Sequence, residues 1–475
     1  VDAEMYSKDA LRFTQIGSMY DELGAYNKEA ALAYITYFSG KYDGNTYYIK
    51  NVEVDSKNTV VGLFGSIIGA DVQNIILYSE NNNCIQRNEK SPKSWYAIGG
   101  LCGLAAVGQN KNPSDVKIKN CTVSGYVIRD NSTQSSWGDG NVGGMFGMCT
   151  VDLARCTAVN TLDLNCAFNN SKNDGVSVRV GGLVGSMRGN ITSCYTGGEI
   201  KCEDRCRYDA GLSAPDGGNK TSTKLFLGGI TGGIYIKNAG NLTKLLGGPI
   251  KGLTDWKSST SHESTDKCTE ATTTISNSYT YIQMPTDKDL VNVIKSIEPI
   301  GSNAETPHEN SYNHHVYVKI SNCYYYKNSI PDTSLKKFMV KDARQNGDRD
   351  WTNIGSGWKE IWVSSGWGGY YDYESTGTGA TAISWDQLAG NQPIEKDGTS
   401  KTLMDWLNTN NTEHFNKVTT YENDQKVDGK YSFPGNRTDL DGENYPFPTI
   451  LQQKEGSGYV NVHYGEWPLE GIYWL

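Results

Sequence analysis

The chain has 475 residues, with 53 acidic side chains against 44 lysines and arginines and a formal net charge of −9. No basic cluster interleaved with aromatics occurs, which argues against a surface built on phosphate contacts. No run of 18 apolar residues occurs, so no helix is expected to cross a membrane.

Residues 1–35 differ in pattern from the rest of the chain. Tyr6, Ala10, Phe13, Tyr20 and Leu23 recur at near-helical spacing, so an amphipathic helix broken by Gly17 and Gly24 is expected, with a second from Lys28 to Tyr37. Such a segment would cap the strands after it, or continue an apolar assembly helix, as in a type IV pilin-like subunit. No signal peptide opens the chain, and a start at Val1 reads as a mature or trimmed form.

Residues 36–328 carry two recurring phrases. The first reads VVGLFGS from Val60, AIGGLCG from Ala97, NVGGMFG from Asn141, VRVGGLVGS from Val178 and LFLGGITG from Leu225. The second reads VQNIIL from Val72, IKNCTV from Ile118, LARCTA from Leu153, ITSCYT from Ile191, ISNSYT from Ile275 and ISNCYY from Ile320. Its earliest copy is read as IKNVEV from Ile49. Repetition at this density fixes architecture before any single motif does.

The second phrase is rich in β-branched and small residues, fits no helical stripe and reads as a strand. One such strand cannot bury its apolar side alone, but stacked copies can. The expectation is an all-β chain, a parallel β-helix or solenoid of about 6–10 coils, with an N-terminal helical cap and an aromatic-rich C-terminal region. The alternative is a β-sandwich with glycine turns. In the solenoid, Ile75, Cys121, Cys156, Cys194, Ser278 and Cys323 form one inward ladder. Gly62, Gly100, Gly144, Gly182 and Gly229 mark its corners, where positive φ and close backbone approach favour glycine.

Both phrases, in this order, resemble the GLUG-motif repeats of large bacterial surface proteins. The stretch from Phe38 to Leu77 looks like the opening of such arrays, and Ile320 to Ser329 like their closing coil. The resemblance covers about residues 35–451 and implies closing elements at Trp385 to Leu388, Trp406, Leu407-Asn408 and Tyr445-Pro446. It implies an adhesion or surface-assembly role. The segment from Asn238 to Thr274 departs from the pattern, and Ile300-Gly301 keeps a remnant of the glycine phrase.

Of the eleven cysteines, four lie in the ladder and Cys102 lies in a glycine phrase, all read as buried thiols filling small spaces. Cys84, Cys149, Cys166, Cys202, Cys206 and Cys268 read as loop cysteines, with Cys202 and Cys206 placed for a local disulfide in an extracellular setting. Zinc is disfavoured, because there is no CxxC pair and His314-His315 has no cysteine at ligand spacing. Polar insertions are expected at 109–114, 130–139, 203–222 and 245–265.

Residues 329–475 hold eight of the eleven tryptophans. Trp362, Trp367, Tyr370 and Tyr371 suggest either core packing or a carbohydrate-stacking platform. Asp439, Asp441 and Glu443 alternate in an acidic turn that would suit calcium or be plain solvated loop. The end, from Tyr459 to Leu475, reads as strands.

No serine-nucleophile elbow, zinc-protease helix or phosphate loop is present. GGLVGSMRG from Gly181 recurs as a corner and is not a nucleotide loop. The sequence therefore points to a non-catalytic, extracellular bacterial surface protein without a cofactor. Its partners would be a host or matrix glycan or protein, or copies of itself. A pilin-like filament subunit and a β-helix polysaccharide lyase or hydrolase remain the alternatives.

Overall fold

The structure is a computed structural model. It describes most of residues 35–202, then 224–233, 273–285, 294–301, 318–329 and 380–408, with Ile16, Ser18–Met19 and short paired strands between 358 and 461. Trp367, Asp439, Asp441, Glu443, Cys206, Cys268 and Tyr445 lie outside the described residues.

The chain is all-β. Four sheets, of six, five, seven and ten strands, hold most of the described residues, and every pairing within them is parallel. One repeat supplies each sheet in turn. Asp139–Gly143 joins the six-stranded sheet, Phe146–Cys149 the five-stranded, Leu153–Ala154 the seven-stranded and Thr157–Leu164 the ten-stranded. The repeats before and after visit the sheets in the same order, and neighbouring strands come from successive repeats.

The register stacks like on like. Ile98, Val142, Val180, Leu227 and Ile297 are paired in series in the six-stranded sheet. Val72, Ile118, Leu153, Ile191, Ile275 and Ile320 do the same in the seven-stranded sheet. These columns, with Val123, Ile128, Leu162, Phe146 and Val184, belong to one buried core that all four sheets share.

Each phrase turns a corner. The second phrase is not one strand, because a two-residue link separates the seven-stranded from the ten-stranded sheet: Asn120-Cys121 lies between Ile118–Lys119 and Thr122–Asp130. The first link residue is left-handed in every copy: Asn74 (φ 57°), Asn120 (55°), Arg155 (53°), Ser193 (55°), Asn277 (49°) and Asn322 (50°). Asparagine enters that region more readily than most residues. The second link residue is the ladder residue and points into the core.

The earliest copy falls in another register. Ile49 pairs with Leu77 in the ten-stranded sheet, whereas Tyr42 pairs with Val72. The phrase equivalent to VQNIIL therefore begins at Tyr42, not Ile49. Asp43-Gly44 stands in place of Gln73-Asn74, and this departure hides the copy from a comparison by similarity.

The corner glycines are required for a different reason from the expected one. Gly62, Gly100, Gly144, Gly182 and Gly229 are not among the positive-φ residues. Instead, a Cβ on Gly144 would fall on the carbonyl oxygen of Gly182, one on Gly182 on that of Gly229, and one on Gly229 on that of Pro299. Successive repeats approach too closely there for any side chain.

The long insertions gather at the two remaining corners. Segments 88–94, 165–176 and 203–223 run from the ten-stranded to the six-stranded sheet, and 107–117 and 234–272 from the five-stranded to the seven-stranded. Within the first corner, Thr133–Gln134 of the 130–139 insertion pairs in parallel with Ala167–Phe168 of the next repeat, a two-stranded sheet apart from the four.

The helix expected over Tyr6, Ala10, Phe13, Tyr20 and Leu23 lies outside the described residues; the few described positions of the first segment are paired. Ser18–Met19 pairs antiparallel with Ile35–Thr36. Ile16 and Phe38 bridge Phe64 and Ile67, along the first strand of the five-stranded sheet. Pairing along that edge satisfies backbone groups that a helix would leave open.

A second core lies on the opposite face of the ten-stranded sheet. Ile76, Tyr195, Tyr279 and Tyr324 alternate with the ladder side and pack with Ile383, Leu388, Ile394, Leu403 and Leu407. Residues 380–408 build this layer. Ala380–Ile383 pairs with Cys323–Tyr326, and a capping box at Ser384 starts a short helix, Trp385–Leu388. The hairpin Ile394–Lys396/Thr399–Lys401 and the helix Leu403–Leu407 complete it.

Candidate functional site

Three constellations bring polar or reactive side chains together. The first is the ladder. Cys121, Cys156, Cys194, Ser278 and Cys323 are fully buried beneath Ile75. The Cys121, Cys156, Cys194 and Cys323 thiols donate to the carbonyl two residues earlier, at 3.3, 3.5, 3.3 and 3.4 Å, and Ser278 does so at 2.8 Å. Links also run between repeats: the Cys156 amide donates to Cys194 Sγ at 3.3 Å and the Cys194 amide to Ser278 Oγ at 3.0 Å. Burial holds the Cys121 and Cys194 thiols well above the ordinary value and pushes Cys323 up to about 12. Cys156 lies between the first two in the column.

Beside this ladder runs one the sequence did not reveal. Asn120 donates to Asn74 Oδ1 at 3.0 Å, Arg155 to Asn120 Oδ1 at 2.5 Å, and Asn322 to Asn277 Oδ1 at 2.7 Å. A further ladder, Asn88–Asn131–Asn165, follows the far end of the ten-stranded sheet. Polar groups that would otherwise cost free energy when desolvated thus satisfy each other from repeat to repeat.

The second constellation is a buried ionisable cluster. Arg87 and Asp130 are register neighbours on the inward side of the ten-stranded sheet, and both are buried. Tyr96 Oη donates to Asp130 Oδ2 at 2.5 Å, and the Ser132 amide donates to Asp130 Oδ1 at 3.1 Å. Arg87 donates to Ser132 Oγ and to the Asn58 carbonyl, and its guanidinium lies 4.7 Å from the Tyr96 ring centroid. Burial raises the Asp130 carboxyl above its usual value, against the opposing pull of the Tyr96 and Ser132 hydrogen bonds and the Arg87 charge. Burial also raises the Tyr96 hydroxyl. Sequence alone did not flag these residues, because Arg87 carries no motif and Asp130 opens the expected 130–139 insertion, far away in the chain.

The third lies in residues 380–408. Lys401 Nζ stands 5.1 Å and Lys396 Nζ 5.8 Å from the half-buried Trp406 ring, and Lys396 stands 6.0 Å from Tyr324. Trp406 Nε1 donates to the Ile394 carbonyl, and Trp385 meets Tyr326 edge-on at 5.1 Å. These rings serve packing and positioned cations together.

Of the suggested platform residues, Trp362 falls opposite Tyr371 in the antiparallel pair Trp358–Ser365/Gly368–Ser375. Tyr370 falls opposite Val363, one register step away and so at the alternate pleat position. Of the four suggested loop cysteines in the described part, three lie in strands and one in a link. Cys84 begins Cys84–Arg87, Cys149 ends Phe146–Cys149 and Cys202 ends Tyr195–Cys202, whereas Cys166 is buried in the link between Thr157–Leu164 and Ala167–Phe168. Among the described residues, no group of three or more His, Cys, Asp or Glu side chains is placed to hold a metal ion.

Comparison with family models, with curated proteins and with solved structures returns no match, so the reading of these sites rests on their geometry.

Proposed function

We propose that the repeats wind into a parallel β-solenoid and that the protein is a non-catalytic, extracellular bacterial scaffold for adhesion or surface assembly. The observation that carries this reading is the order of visits: each repeat feeds the same four parallel sheets around one shared core. Equivalent residues then stack at the ~4.8 Å spacing of paired strands, as in quasi-one-dimensional repeat proteins. The polar ladders support the same reading, since they join one repeat to the next through the half-buried Asn120 and Arg155 and the buried Cys156. The insertions leave at two corners, which suits a rigid body that presents loops to a glycan or protein partner.

The test is an array of glycans and matrix proteins probed with the whole chain. Saturable binding that survives removal of calcium, with no turnover of any polysaccharide offered, is the expected result. Cleavage of a polysaccharide, abolished by one acid-to-amide change, would replace the scaffold reading with that of an enzyme. A compact rather than elongated particle in solution scattering would remove the solenoid.

A further inference from the structure

We propose that Cys121, Cys156 and Cys194 form a switchable cross-repeat staple, in which Cys156 joins either neighbour as a disulfide. The three occupy the same link position in successive repeats, between register-paired strands on both sides. Paired strands lie about 4.8 Å apart, within the roughly 4.4–6.8 Å Cα separation that disulfides span. The Cys156 amide already contacts Cys194 Sγ at 3.3 Å, so the thiol of one repeat reaches the backbone of the next. Cys102 and Cys149 are equally buried but are not register partners, since Cys102 pairs with Phe146 and Cys149 with Ala105.

The same spacing sets the character of the bond. Side chains at equivalent positions of parallel strands point the same way, so their Cβ atoms stand farther apart than the about 3.8 Å of a relaxed disulfide. The bond is therefore strained and more easily reduced than a structural one. Complete burial governs its kinetics. A low-molecular-weight disulfide cannot reach the column while the repeats are closed, so exchange occurs during folding or transient opening. In the exchange, one cysteine thiolate attacks the small disulfide and expels one small thiolate. The second cysteine thiolate then attacks the mixed disulfide and expels the other. The protein loses two electrons and two protons, and the small disulfide becomes two thiols.

The experiment uses the full chain in two arms. One arm refolds from urea with oxidised glutathione, and the other holds folded protein with the same reagent for days. Free thiols are then alkylated under denaturing conditions and the peptides mapped by mass spectrometry. Cys156 linked to Cys121 or to Cys194 is expected, quickly on refolding and slowly in the folded arm. Unfolding should be about tenfold slower until dithiothreitol is added, because strain in the bond offsets most of what closing so long a loop contributes. Cys121→Ala should leave the Cys156–Cys194 link, and Cys194→Ala the Cys121–Cys156 link. Recovery of all three as alkylated thiols in both arms, or links from Cys156 only to cysteines outside the column, would overturn the proposal. If the oxidised chain fails to refold, the folded arm decides.

Discussion

The amide of Cys156 donates to the sulfur of Cys194, a residue 38 positions later, at 3.3 Å. The next amide along the ladder, that of Cys194, donates to Ser278 Oγ at 3.0 Å. The residue at this link position fills a small space in the core and also accepts a backbone donor that would otherwise be buried without a partner. Replacement of Cys194 by alanine should therefore cost more than a methyl-sized cavity alone, about 2–3 kcal/mol from cavity and lost acceptor together. Cys194→Ser, which restores the acceptor as Ser278 does in its own repeat, should recover a measurable part of that loss. Urea midpoints of the two variants at equal slope make the comparison.

The corner glycines give a paired prediction. A Cβ at Gly144 would fall on the Gly182 carbonyl oxygen and stand 3.0 Å from Ala158 Cβ, with backbone on one side that cannot yield. Gly398 has φ +71° and nothing within 4 Å of its hypothetical Cβ. Gly144→Ala should cost about 3 kcal/mol or more through overpacking, and Gly398→Ala about 1 kcal/mol through left-handed strain alone. Thermal or urea unfolding of the two variants checks the order; equal costs would mean the corner is looser than its geometry.

How much was legible in the sequence can be judged at the same positions. The recurrence of Val72, Ile118, Leu153 and Ile191 identified a buried column, because their identity alone carries the burial signal. Asn120 and Asn277 read as polar strand positions, yet a repeated asparagine before a small residue marks a left-handed corner, and that signal was available. Arg155 and Ser193 obscured it by adopting the same conformation with side chains that rarely do. The glycine corners are legible as corners, but not through a φ that they do not use. Asp43-Gly44 hid the true first copy because the match rests on pairing with Gln73-Asn74, not on similarity. The Arg87–Tyr96–Asp130 cluster had no local pattern at all. It exists only once register brings Arg87 beside Asp130.

Asp130 gives a pH dependence with a defined sign. Its folded carboxyl titrates above the ordinary value, so the folded state holds the proton more tightly than the unfolded chain. The stability it contributes is complete below the unfolded pKa, near ~4, and is lost as pH rises through the raised folded value. The groups facing it are Arg87, Tyr96 and Ser132. Asp130→Asn, which never ionises, should gain on the wild type as pH rises from acid to neutral. Urea unfolding of both proteins across that range measures the gap; a gap independent of pH would show that Asp130 titrates in the fold as it does in the unfolded chain.

The cysteines make the alkaline counterpart. Cys84 is the half-exposed thiol of the described set, and burial, partly offset by Arg129, pushes it up to about 11 from 9.0. Asp163, Asp55 and Glu53 add to the rise. The thiolate is the reacting species, so alkylation at pH 8 should be roughly a hundredfold slower than for an unperturbed thiol, on the scale of the two-unit rise. Cys84 should still react before Cys121, Cys194 or Cys323, which are fully buried. Arg129→Gln removes the one cation that favours the Cys84 thiolate and should slow alkylation further, whereas Asp55→Asn should quicken it. Time-resolved alkylation with peptide mapping reads all four rates. An Arg129→Gln variant that reacts faster would show that exposure, rather than charge, controls this thiol.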